Sequence, residues 1–192
     1  MKKSSLLLLD TSIVLKLIQE GLWGGVTEKY KVHVARSVFN EVQFIPDEEG
    51  FAVTVRLVEG PDLIVFDVPY GNSAAFKNQF KPSLFEKLDA GELESLTYLF
   101  SANSGFLISS SDRVVFRILG TCARGDQGIS LEELLQATGL QRNLGWQYSK
   151  KFREEWTTRG FQEHLQGQAF KNGCSPESCA EAAAGIKMPT TK

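Results

Sequence analysis

Four acidic residues stand where strands give way to helices, and their chemistry would be that of hard oxygen donors. Asp10 closes an apolar run at residues 6–9, and Glu41 lies on a short helical stretch after the strand-like residues 31–35. Glu92 opens a helical stretch, with Asp89 just before it, and Asp112 directly follows the run 106–109. Carboxylates brought to one place repel unless a cation holds them. Hard oxygen donors that leave room for water suit Mg²⁺ or Mn²⁺. Such an ion lowers the pKa of a bound water and stabilises charge on a phosphate in flight. Each residue also has a plainer reading. Asp10 and Asp112 are good helix N-caps. Asp89 and Glu92 favour a helix N-terminus electrostatically, and Glu41 alone is an ordinary surface glutamate. Their common placement at strand ends and helix starts is what joins them.

The elements that must position these residues follow from pattern. Residues 5–9 are short, apolar and ended by Asp10, as in a buried parallel strand. Ser12 is placed to cap a helix through Glu20, with Ile13, Val14, Leu17 and Ile18 at helical spacing. Residues 31–35 predict a strand and 37–44 a short helix; Pro46 and the acidic run 47–49 predict a turn. Residues 51–58 and 63–68 are strand-like, separated by Gly60-Pro61. Residues 73–89 predict a helix broken in two at Pro82, and 91–102 a better one. Residues 106–109 are a strand, 112–121 a helix weakened by Gly120, and Ser130-Leu-Glu-Glu opens another with a capping-box signature. Strands alternating with helices imply an α/β fold with a mostly parallel, doubly wound sheet, and its ligands belong beyond the carboxyl ends of the strands.

The organisation reads as a domain over residues 1–145, a helical extension over 146–171 and a mobile tail over 172–192. The extension predicts one long helix over 147–166, interrupted at Gly160 and rich in Lys150, Lys151, Arg153 and Arg159. With 192 residues, 42% of them hydrophobic, the chain can build a real core. Its formal charge of −2 excludes the broad positive field of non-specific nucleic-acid binders, so a local basic patch or a bound metal would have to compensate. Lys2 and Lys3 before the apolar run briefly resemble a signal peptide, but the run stops at Asp10. No stretch reaches the roughly 18–20 apolar residues that span a bilayer. Three cysteines, Cys122, Cys174 and Cys179, argue against a disulfide framework, and the expected compartment is the cytoplasm.

Four segments together resemble the PIN domain nucleases. Leu-Leu-Leu-Leu-Asp10-Thr11-Ser12 is similar to their opening Asp-Thr-Ser, and His33-Val-Ala-Arg-Ser-Val-Phe-Asn-Glu41-Val to their second acidic motif. Leu88-Asp89-Ala-Gly-Glu92-Leu-Glu94-Ser resembles the Gly-Glu-x-Glu segment of one subgroup, and Leu107-Ile-Ser-Ser110-Ser-Asp112-Arg113 the strand followed by Thr/Ser-x-Asp. Order and spacing match over residues 5–140. The resemblance implies a three-layer sandwich whose mostly parallel sheet is flanked by helices. It further implies a metal-dependent endoribonuclease with Asp10, Glu41, Glu92 and Asp112 as catalytic and metal-holding residues, Mg²⁺ or Mn²⁺ as cofactor and RNA as substrate. At the third position Glu94 and Asp89 are alternatives to Glu92, and a glutamate stands where many PIN enzymes use aspartate. A role in a prokaryotic toxin–antitoxin module would bring an antitoxin protein and a second copy of the chain as partners.

The remaining candidates have plain readings. His33 alternates with Val32 and Val34 on a strand, and His164 lies in an unrelated segment. Cys174 and Cys179 lack the second pair a zinc site needs. The serines at 109–111 have no triad around them. Trp146, Tyr148, Phe152, Trp156 and Phe161 fit a helix docked on the domain better than a base-stacking platform. Against the nuclease stands a second class, a PIN-like interaction module that binds no metal and does not cut. A small-molecule enzyme would need a closed apolar pocket that no segment points to.

Overall fold

Apolar strands too short to be helices, each followed by an amphipathic helix, fold here into one parallel sheet with helices packed on it. The structure, a computed structural model, describes residues 5–46, 52–54, 57–84, 88–101 and 105–186. Its strands are β1 (Ser5–Leu9), β2 (Tyr30–Ala35), β3 (Phe44–Pro46), β4 (Ala52–Thr54), β5 (Leu63–Phe66) and β6 (Phe106–Ser109). Its helices are α1 (Thr11–Gln19), α2 (Trp23–Lys29), α3 (Arg36–Glu41), α4 (Tyr70–Lys77), α5 (Ala90–Ser101), α6 (Arg113–Thr121), α7 (Leu131–Ala137), α8 (Lys150–Leu165) and α9 (Pro176–Ala183).

The main sheet has the order β5-β2-β1-β6, with all pairs parallel. Leu7, Leu8 and Leu9 of β1 are fully buried, because a central parallel strand is covered on both faces. From β1 the chain moves to β2 on one side, while β6 joins on the other. The order therefore reverses between β1 and β6, the kind of switch point beyond whose carboxyl ends open α/β sheets bind ligands. The expected α/β class with a parallel sheet flanked by helices is what the chain adopts.

Local departures have physical causes. Asp10, not Ser12, caps α1, since its carboxylate accepts the Ile13 N–H at 2.9 Å. Within the strand-like segment 51–58 the described residues Ala52–Thr54 form a strand, and it does not enter the main sheet. Instead β4 pairs antiparallel with β3, so Pro46 ends a strand where a turn is expected; residues 47–50 lie outside the described residues. The helix expected over 37–44 is the shorter α3, because residues 44–46 are drawn into that ribbon. The stretch with Pro82 divides into α4 and a 3₁₀ turn at Pro82–Leu84. The capping box at Ser130 forms as its sequence predicts.

The chain beyond residue 145 packs on the domain. A 3₁₀ turn at Trp146–Tyr148 leads into α8, capped by Ser149. Gly160 does not interrupt α8 but lets it touch α6. A Cβ at Gly160 would stand 1.9 Å from the Arg117 carbonyl oxygen, and one at Gly120 would stand 1.9 Å from that of Thr157. Reciprocal glycines thus bring two helix backbones into direct contact. Phe152 is buried and Trp156 half-buried, while Trp146 and Phe161 remain exposed.

The expectation of a mobile tail from residue 172 is corrected through Ile186. The Lys81 N–H donates to the Ala169 carbonyl at 2.9 Å, and the Lys171 N–H to that of Gln79 at 3.0 Å. Ser175 then caps α9, which packs on α4 and α5 and buries Cys179 and Ala183. Small side chains, which read as low complexity in sequence, allow that helix to approach closely. Among the described residues no helix is long and apolar enough to cross a membrane.

Candidate functional site

Two parallel strands side by side deliver Asp10 and Asp112 to one edge. Leu9 of β1 is in register with Ser109 of β6, and the Asp10 N–H donates to the Ser109 carbonyl at 3.3 Å. Both strands turn into helices there, and each aspartate caps its own helix. Asp112 Oδ1 accepts the Val114 N–H at 2.6 Å. Ser110 joins the two turns, because its hydroxyl donates to Asp10 Oδ2 while its oxygen accepts the Asp112 N–H at 2.9 Å. Asp10 Oδ1 also accepts from the Ser12 hydroxyl at 2.8 Å, and Oδ2 from the Ser111 N–H at 3.3 Å. A Ser12–Ser111 contact of 2.7 Å between hydroxyls closes the network.

Burial raises the Asp10 carboxyl above its ordinary pKa, opposed by hydrogen bonds from Ser110, Ile13, Ser12 and Ser111. Asp10 is 5% exposed, and those donors stand where water would otherwise solvate its carboxyl.

Glu92 reaches the same region from α5, which packs on β2, β1 and β6. It is 6% exposed. Its pKa is pushed up to about 8, first by desolvation and then by the negative charges of Asp112, Asp89 and Asp10. Asp112, Asp89 and Asp10 are thus the carboxylates whose charge reaches Glu92. Locally Glu92 and Asp89 cap α5 reciprocally: the Glu92 N–H donates to Asp89 Oδ1 at 2.8 Å, and the Asp89 N–H to Glu92 Oε2 at 3.2 Å.

Glu41 stands further out. It is exposed at the end of α3, and its Oε2 accepts the Thr11 hydroxyl at 2.5 Å, one residue from Asp10. Glu94 turns to α3 instead, where Ser37 donates to its Oε2 at 2.7 Å. Gly91 permits this approach, because a Cβ there would meet Val38 Cγ2 at 2.7 Å.

No family model matches this chain, and neither a curated protein nor a solved structure does.

The donor chemistry at this edge fits a hard cation: carboxylates and hydroxyls, with the negative charges of Asp112, Asp89 and Asp10 acting on Glu92. The ligand arrangement is less complete. Among the described residues no group of three or more His, Cys, Asp or Glu side chains stands in metal-holding geometry. Asp10, Glu92 and Asp112 are each engaged in hydrogen bonds of their own turns. Sequence reasoning weighed the serines at 109–111 only as nucleophiles and missed Ser110 as the residue that joins Asp10 to Asp112. Its signal was its place within the Ser-x-Asp motif.

The basic residues singled out on α8 are mostly paired. Arg153 binds Glu133 through two hydrogen bonds of 2.7 and 2.9 Å, Arg159 lies 3.4 Å from Glu163, and Lys150 3.6 Å from Glu154. His33 is no ligand. It is buried against Tyr98 and edge-on to Phe106, and desolvation, with a smaller effect of Lys31, lowers its pKa to about 4.

Proposed function

We propose that this chain is a metal-dependent endoribonuclease of the PIN type, with Asp10, Glu92 and Asp112 as its inner acidic set and Glu41 as an outer member. The observation that carries this reading is Glu92: a nearly buried carboxyl, on a helix packed against β1 and β6, on which three further carboxylates act. A fold rarely gathers like charges beside a topological switch point without a counter-charge, and perturbed carboxyls in such places mark functional sites.

Mg²⁺ or Mn²⁺, when bound, would supply a Lewis acid and an activated water for phosphodiester hydrolysis. The chain's own residues do the rest. Asp10, oriented by Ser110, Ser12 and two backbone N–H groups, presents a fixed carboxylate. Asp112 holds its place through the α6 cap, and Glu92 would add a further carboxyl to hold the ion. Thr11 orients Glu41. Arg113, exposed beside Asp112 with its guanidinium 5.1 Å from the Trp156 ring centroid, is the neighbouring cation that would meet an RNA phosphate. The toxin role, with its antitoxin and second copy of the chain, belongs to this reading through the PIN resemblance alone, as does a cytoplasmic setting.

A second reading is a PIN-like interaction module that does not cut. It is favoured by the way Asp10, Asp112 and Glu92 are committed to capping bonds. One experiment separates the two: cleavage of a labelled single-stranded RNA, and thermal melting, both across Mn²⁺ concentration, for the wild type and Asp10→Asn. The nuclease reading expects Mn²⁺-dependent cleavage that the variant loses. It also expects metal-induced stabilisation of about 2.7 kcal/mol at a hundredfold excess over Kd. Neither cleavage nor a melting shift at millimolar Mn²⁺ would establish the interaction module instead.

A further inference from the structure

Beyond the carboxyl end of β5, on the same sheet edge as the acidic set, lies a pocket of about 420 Å³ between α4 and α5. Val68, Ala74 and Leu93 give it an apolar floor, while Ser73, Lys77 and Glu94 bring polar groups to its walls. Tyr70 also lines it and is 86% exposed. Tyr70, Ala74 and Lys77 fall at helical spacing on one face of α4, so ring, floor and ammonium follow one line. Such exposure of a large aromatic is unusual when nothing covers it, for aromatic rings ordinarily bury. Ser73 supplies a second observation. It is 7% exposed, and its hydroxyl has no hydrogen-bond partner among the described residues. A buried hydroxyl left unpaired is costly, and a ligand group entering beside it would offer a partner.

The pocket adjoins the acidic set through α5, since Leu93 and Glu94 follow Glu92 directly. Along the sheet, β5 is two strand positions from β1, roughly 10 Å. Ser37 occupies Glu94 Oε2; Oε1 forms no hydrogen bond within the described residues and can accept from an amino group.

We propose that this pocket is a nucleobase subsite, in which a base of single-stranded RNA stacks on Tyr70, donates its exocyclic amino group to Glu94, and has its adjoining phosphate neutralised by Lys77. This rests on the ribonuclease reading and adds to it where the strand lies and which bases suit it: adenine, cytosine and guanine carry the amino group, and uracil does not. Stacking on an exposed aromatic needs no closed cavity, and it tolerates sequence because every base has a π-face.

The test uses the full chain and a fluorescein-labelled, unstructured RNA of adenine and cytosine. Anisotropy is read in calcium, a hard cation for the same oxygen donors, and Mn²⁺-dependent cleavage of the same RNA is followed in parallel. Cytidine monophosphate serves as competitor, separating a strand from a free nucleotide. Because Tyr70 is exposed, Tyr70→Ala leaves folding intact. It should weaken RNA binding by roughly 5- to 150-fold. Tyr70→Phe should keep wild-type affinity, and Glu94→Gln should narrow the preference over a uridine oligomer. Wild-type affinity in Tyr70→Ala, with cleavage continuing, would overturn the subsite and leave the ribonuclease standing. Cytidine monophosphate bound as tightly as RNA would reassign the pocket to a free nucleotide and overturn the RNA assignment. Wild-type protein that neither binds nor cuts RNA would overturn the ribonuclease and the subsite with it.

Discussion

The hydroxyl of Ser110 donates to Asp10 Oδ2 while its oxygen receives the Asp112 N–H, so one side chain holds both acidic turns of the sheet edge in place. Ser110 is buried, and no water can replace it cheaply. Ser110→Ala leaves the Asp10 carboxylate short of a donor and the Asp112 N–H short of an acceptor. The expected loss is about 1–3 kcal/mol of stability, read as a lower urea midpoint with an unchanged slope. Ser110→Thr, which keeps the hydroxyl, should retain most of it. An alanine variant as stable as wild type would show that the two turns hold without this bridge.

Glu92 makes the metal-free protein sensitive to pH. Its folded pKa of about 8 stands above the ordinary 4.5 because burial and the charges of Asp112, Asp89 and Asp10 disfavour ionisation. Between those two values the folded state holds a proton that the unfolded chain has released. Stability therefore falls as pH rises from about 4.5 to 8, by on the order of a few kcal/mol. Glu92→Gln, neutral throughout, should lose that slope and exceed wild type at the alkaline end. Denaturation in chelator across this range checks it; parallel curves for the two proteins would mean that Glu92 ionises freely.

The contact between α6 and α8 permits no side chain. Alanine at Gly160 would drive its Cβ to 1.9 Å from the Arg117 carbonyl oxygen, a backbone atom that cannot rotate away. Overpacking of this kind costs about 1–3 kcal/mol or more, equivalent to a melting temperature lower by roughly 2–12 °C. Gly24→Ala, with nothing within 4 Å of the added Cβ, is the matched control and should be neutral or slightly stabilising. Equal melting of the two variants would show that α8 can move off α6 without loss.

Local chemistry was legible in the residues themselves. The buried run before Asp10, the strand Phe106–Ser109 before Asp112, and the capping box at Ser130 are written in short windows, where period and cap residues act over a few positions. So was the placement of Asp10 and Asp112 at one sheet edge, because parallel strands all end on the same side. What pattern could not carry were relations between distant windows. Gly120 and Gly160 each read as a helix weakness and are together a helix crossing; the small residues after 172 read as a tail and form α9 against α4 and α5. The joining of Asp10 to Asp112 through Ser110, and the rise of the Glu92 pKa under burial and three neighbouring charges, likewise belong to the tertiary structure alone. A side chain's type and its element are local properties of the sequence. Its burial, its hydrogen-bond partners and the charges it feels depend on which segments the fold brings against it.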